Sequence, residues 1–146
     1  MKNIVAIALI MGVFISCSST PKNTAENGQA VSQLEGKWLL TGLEGKAFTQ
    51  NPQQREAFIT FDMEKMMIAG NSSCNNFGGA ITSAQPGKIT FSPLRSTLMA
   101  CPDLETERIL YDALGRVTGY SIKGDTLSLL DDKNAVLVSY KKDTGK

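Results

Sequence analysis

Hydrophobic and polar positions change rhythm three times along the chain. An unbroken apolar run from Ile4 to Ile15 comes first, after Met1-Lys2-Asn3 and before Ser16-Cys17-Ser18. Residues 18–32 (SSTPKNTAENGQAVS) then carry almost no large apolar side chain. From Leu34 to about Lys142, short apolar runs alternate with turn signals. Trp38-Leu39-Leu40 reads as a first strand ended by Gly42 and Gly45; Ala57–Phe61 and Met66–Ala69 read as two more. Pro86-Gly87 is a turn dipeptide that introduces Lys88–Phe91. Tyr120–Lys123, Thr126–Leu130 and Ala135–Tyr140 are separated by Gly124-Asp125 and by Asp131-Asp132-Lys133-Asn134, which are hairpin signals. No internal repeat is visible.

One segment follows a different period. Leu110, Ala113, Leu114 and Val117 fall at i, i+3, i+4 and i+7, one face of a helix. Pro102 precedes it and Asp103 is the expected N-cap. Glu105 and Glu107 stand in the first turn, where the macrodipole favours anions. Arg116 is expected in the last turn and Gly119 as the stop. The pattern predicts a mostly β (α+β) fold of seven or eight short antiparallel strands and one helix.

The opening segment has the three parts of a secretory signal: a positive residue, an apolar stretch and a small residue at its end. It is too short for a spanning helix, which needs about 20 apolar residues. Phe14-Ile15-Ser16-Cys17 resembles a bacterial lipobox, although Phe14 and Ile15 replace the usual Leu and small residue. That resemblance implies a signal peptide over 1–16 and diacylglyceryl, or palmitate-type, lipidation at Cys17. Two or more acyl chains hold firmly, at about 0.8 kcal/mol per buried methylene. Ser18 after the cysteine implies the outer membrane, facing the periplasm. Residues 17–32 are then the lipidated cysteine and a flexible tether with a root-mean-square reach of roughly 20–25 Å. The domain occupies 33–142, and 143–146 form a C-terminal tail.

Charge and composition remove several classes of function. The chain has 15 Lys and Arg against 14 Asp and Glu, so nothing favours a nucleic-acid partner. Loss of 1–16 removes only Lys2 among the charges and leaves the rest neutral. With no histidine, Ser-His-Asp and Cys-His catalysis and most catalytic zinc sites are absent. No catalytic residue, metal site or cofactor is expected. Ser72 and Ser73 lack an evident base; Asp131-Asp132 and Lys141-Lys142 read as solvated charges, and Asp103, Glu105 and Glu107 as helix-end partners. Trp38 reads as core, and Met63, Met66, Met67 and Met99 as gap-filling side chains.

Two segments carry more specific information. Gly70-Asn71-Ser72-Ser73-Cys74-Asn75-Asn76-Phe77-Gly78-Gly79 reads as a loop: either a tight connection between strands or a polar surface offering Asn75 and Asn76 to a ligand. Ser96-Thr97-Leu98-Met99-Ala100-Cys101-Pro102 leads into the helix. With Gly36-Lys37-Trp38 upstream, the Cys-Asn-Asn followed by Gly-Gly and the Thr-x-Met-Ala-Cys before an acidic helix resemble the META domain, or HslJ-like, family from about Leu34 to Lys142. Ser73 stands where a glycine often precedes the cysteine. The resemblance implies a small, partly open antiparallel β-barrel with one helix, in envelope proteins linked to heat shock and stress tolerance, and it implies no enzyme activity.

Setting aside Cys17 leaves Cys74 and Cys101, an even pair in an oxidising compartment. They are expected to be neighbours able to form a disulfide; buried free thiols are the alternative, and a two-cysteine metal site a poor third. The leading expectation is a non-enzymatic, membrane-anchored module that binds an unknown envelope protein or ligand. The rival is a carrier of a small molecule or lipid inside the barrel, and a hydrolase centred on Ser73 comes third.

Overall fold

A computed structural model describes residues 31–102 and 104–145. The expected signal peptide, Cys17, the tether up to residue 30 and the N-cap Asp103 lie outside the described residues. Within them the chain forms ten strands: β1 (Gly36–Leu43), β2 (Lys46–Ala47), β3 (Phe58–Asp62), β4 (Met67–Asn71), β5 (Asn76–Gln85), β6 (Lys88–Phe91), β7 (Arg95–Ser96), β8 (Gly119–Lys123), β9 (Thr126–Leu130) and β10 (Val136–Lys142). One helix, α1 (Glu105–Gly115), separates β7 from β8.

All pairings are antiparallel, and eight strands close a ring in the order β1-β3-β4-β5-β6-β8-β9-β10, with β10 returning to β1. β1 meets β10 from Trp38↔Lys142 to Leu43↔Val138, with a register shift between Leu40 and Gly42. The thinnest seam of the wall lies between β6 and β8, which share the single register pair Lys88↔Gly119. The expected partly open barrel is therefore a closed ring with one weak joint. β2 extends β1 outside the ring, and β7 continues the β6 side by pairing with β5.

Alternation along the strands fills the interior. Trp38, Leu40, Ile59, Phe61, Ile68, Phe77, Ile81, Ile89, Leu127, Leu129, Val138 and Tyr140 are all buried, and their neighbours along each strand face outward except Leu137, which is buried too, at the irregularity in the β9–β10 register. Phe58 is one of the outward residues; its ring carries the Lys37 ammonium 4.7 Å from the centroid. Gly70 is required by close approach. A Cβ there would lie 2.3 Å from the Phe58 carbonyl oxygen and 2.5 Å from the Phe77 ring.

Both rims are plugged. At the proximal rim, where the chain enters β1, Leu34 is fully buried and its carbonyl accepts the Trp38 indole N–H at 2.7 Å. Lys142 lies over the same indole, 4.4 Å from its centroid, and donates to the Glu35 carbonyl, so it is not the freely solvated charge expected. At the distal rim α1 lies across the opening with Leu110, Ala113 and Leu114 pointing in, and Val117 is buried just beyond its end. Burying each such leucine contributes roughly 1.5–3 kcal/mol.

The ends of α1 differ from expectation. Leu104 occupies the N-cap position without a side-chain cap bond. Arg116 is the C-cap, outside the last turn, and bridges Asp112 at 3.0 Å and Glu44 in the β1–β2 turn. Gly119 does not stop the helix; it opens β8 and pairs with Leu130.

Candidate functional site

The ten-residue loop expected over 70–79 is mostly strand. Gly70 and Asn71 end β4, Asn76 begins β5, and only Ser72-Ser73-Cys74-Asn75 turn between them. Ser73 holds this turn with φ 77°, the left-handed region that explains why glycine suits the position. The turn sits at the distal rim beside the first turn of α1. Cys74 is buried there and bridged to Cys101, with the Cα atoms 6.2 Å apart.

Asn75 does not face solvent. It is 2 % exposed, and both ends of its amide are engaged within the domain. Its Oδ1 accepts the Met99 N–H at 2.8 Å and the Thr97 hydroxyl at 2.7 Å; its Nδ2 donates to Glu107 Oε1 at 3.1 Å and to the Met99 carbonyl at 3.5 Å. The expectation of a presented Asn75 amide is thus corrected. Residue 75 points into the domain because its backbone ends a turn whose outer side is taken by segment 97–101. Asn76 remains exposed, its Oδ1 accepting the Asn71 Nδ2 at 2.9 Å and its N–H donating to the Thr97 hydroxyl.

Glu107 anchors the other side of the network. Its Oε2 accepts the Ser72 hydroxyl at 2.6 Å and the Asn75 backbone N–H at 3.3 Å. Ser72 is buried and in turn accepts the Tyr111 phenol at 3.3 Å. Burial raises the Tyr111 pKa above its ordinary value and the Glu107 charge adds to the rise, against the hydrogen bonds it shares with Ser72 and Ser96, which lower it. Glu107 was expected only at a helix end, and Tyr111 was not singled out. Residues 107, 111 and 115 recur at i, i+4 and i+8, and that second stripe on the helix is the signal that would have identified them.

Segment 97–101 is therefore clamped by the Asn75 side chain, the Asn76 backbone and the disulfide, yet its outer side is bare. Leu98 is 96 % exposed, and Met99 and Leu104 are also exposed. Met66 and Met67 lie exposed too, against the expectation of buried methionines, because the β3–β4 turn and the outer face of β4 have no layer above them. Glu105 pairs with Arg108 at 2.8 Å, which lowers the Glu105 pKa.

Grooves flank the β6–β7 connection. One, of about 390 Å³, lies between that connection and α1; another, of about 410 Å³, lies over Gly78, Gly79 and Met67.

A family model described as META domain matches residues 31–144. No curated protein matches. Among solved structures, one described as "NMR structure of the protein" is 25% identical, with a TM-score of 0.56, covering 74% of this chain and 89% of its own. An NMR structure from Burkholderia xenovorans is 21% identical with a TM-score of 0.61, and each chain is 99% covered. A crystal structure of a DUF4847 family protein from Bacteroides vulgatus is 12% identical with a TM-score of 0.55, covering 80% of this chain and 99% of that one. The last two establish likeness of fold alone.

Proposed function

We propose that this chain, which belongs to the META domain family, is a non-enzymatic bacterial envelope lipoprotein whose domain binds a protein or other envelope component, in connection with stress tolerance. In this reading Cys17 carries the lipid at the outer membrane, and the domain hangs in the periplasm on the tether.

The observation that carries the reading is the clamped segment 97–101. It holds Leu98 at 96 % exposure on a backbone fixed by Asn75 and by the Cys74–Cys101 bridge. A backbone already ordered loses little entropy on association, while exposed Leu98, Met99 and Leu104 supply apolar surface to bury. The chain enters the barrel at the opposite rim, so a tether there leaves this surface directed away from the anchoring bilayer. Asn76, exposed beside it, adds a polar contact.

The rival carrier reading has less support, because Trp38, Phe61, Leu127 and Tyr140 fill the interior and both rims are plugged. A hydrolase has little support either: Ser72 and Ser73 are buried.

The test places a photo-crosslinking residue at Leu98 or, as a control at the proximal rim, at Glu64, in the full chain expressed in its own envelope. A discrete adduct at 98 that is absent at 64, identified by mass and lost on Asn75→Ala, supports the reading. Equal labelling at both positions, or none at 98, refutes it. In the same cells Cys17→Ser releases the chain from the membrane pellet if the anchor is as proposed.

A further inference from the structure

Each described glycine except Gly115 either has a positive φ or would bring a Cβ within 3.2 Å of a neighbouring atom. Gly115 ends α1 with φ outside the left-handed region, and a Cβ there would meet nothing within 4 Å. At this last helical position neither a positive φ nor a close contact requires glycine. The space that its missing side chain leaves open belongs to the groove of about 390 Å³ between α1 and the β6–β7 connection. The groove sits on the distal side of the thin β6–β8 seam, where β6 turns away from β8 after its single register pair.

The lining is specific in character. Phe91, Pro93 and Leu94 form an apolar wall, Tyr111 and Ser96 supply hydroxyls, and among the described residues no charged side chain lines the groove. The polarity of the hydroxyl chain follows from its far end. Glu107 is a carboxylate within a hydrogen bond of Ser72, and a carboxylate accepts. The Ser72 proton goes to Glu107 or to the Asn75 carbonyl, so the Ser72 oxygen accepts from Tyr111. With the Tyr111 proton directed inward, the Tyr111 oxygen presents acceptor lone pairs outward, and Ser96 lies against it.

We infer that this groove is a binding site for a saccharide, an uncharged ring with an apolar face and several hydroxyl donors. A purely apolar ligand would strip water from the hydroxyls without replacing its hydrogen bonds. An anion would find no cation in the lining. An ammonium group would find no free carboxylate there, since Ser72 and Asn75 already occupy Glu107. The pyranose face instead packs on Phe91 and Pro93 while its hydroxyls donate toward Tyr111 and Ser96. The lining does not include Leu98, and the site does not depend on the binding role given to that side chain.

The probe is N-acetylglucosamine, titrated in the millimolar range into the ¹⁵N-labelled full chain and followed by amide chemical shifts. Saturable shifts at Ser96, Tyr111 and Gly115 are expected. Gly115→Gln, which fills the groove with a side chain better suited to a helix, abolishes them while the thermal midpoint stays level or rises. Tyr111→Phe weakens binding about three- to tenfold. No saturable shift overturns the site, and so does binding that survives Gly115→Gln. A lower midpoint for Gly115→Gln overturns it as well, because the glycine would then be structural. Methylammonium giving the same saturable shifts in place of the sugar overturns the saccharide assignment.

Discussion

Asn75→Asp changes one atom type and leaves shape intact, which makes it a sharp probe of the clamp. The acceptor facing Met99 N–H and the Thr97 hydroxyl survives. The donor facing Glu107 Oε1 at 3.1 Å becomes a second carboxylate oxygen. Two unit charges at that distance repel by about 5 kcal/mol at an effective dielectric of ~20. The introduced carboxyl can escape by taking up a proton, which from an ordinary pKa near 4 costs about 4 kcal/mol at pH 7. Proton uptake therefore caps the loss, and about 3–4 kcal/mol is expected at pH 7. The folded-state pKa of the introduced carboxyl is raised, so stability is retained below its unfolded value near 4 and falls as pH climbs through the raised value. Urea unfolding of the wild type and Asn75→Asp across pH 4–8 measures this directly. The double variant Asn75→Asp/Glu107→Gln restores an amide opposite a carboxylate with the donor reversed, and recovers to within about 1 kcal/mol of wild type. If Asn75→Asp costs less than about 1 kcal/mol at pH 7, or if its cost does not change with pH, the side chain is not held against Glu107 and the clamp is wrong.

Reduction of Cys74–Cys101 releases a closure of 27 residues, worth about 3.5 kcal/mol in the chain-entropy treatment and about 15 °C in melting temperature for a domain of this size. Thermal melts with and without dithiothreitol that superimpose would exclude a stabilising bridge. The three tyrosines, Tyr111, Tyr120 and Tyr140, have pKa values raised first by burial, Tyr140 most of all. The neutral phenols thus favour the fold, a contribution present in full below the free phenol value near 10 and lost as pH rises above it. Absorbance at 295 nm is expected to lag behind that of the urea-unfolded chain, with Tyr140 ionising only on alkaline unfolding; coincident titrations would contradict its burial.

Much of the barrel was legible because alternation is a local property. Lys88–Phe91 and Thr126–Leu130 carry their own period and turn signals, and both stand as read. β5 was hidden because Asn76-Phe77-Gly78-Gly79 has the composition of a loop. Its strand state comes from pairing with β4 on one side and with β6 and β7 on the other. Helix ends were misplaced for a related reason: the chain must leave α1 early to carry Val117 into the core and to start β8 at Gly119.

What the sequence determined by itself is whatever depends on near neighbours and counting: strand and helix periods, an even pair of cysteines beyond Cys17, the absence of histidine, and the family motifs. Burial and partnership were decided only in three dimensions. Asn75 and Asn76 are adjacent and chemically identical, yet one lies inside a network completed by Thr97, Met99 and Glu107 while the other meets solvent. Gly115 resembles any glycine near a helix end until the space beyond it is seen to be empty. Both distinctions rest on atoms from residues distant in the chain, brought together by closure of the barrel, and no local pattern encodes them.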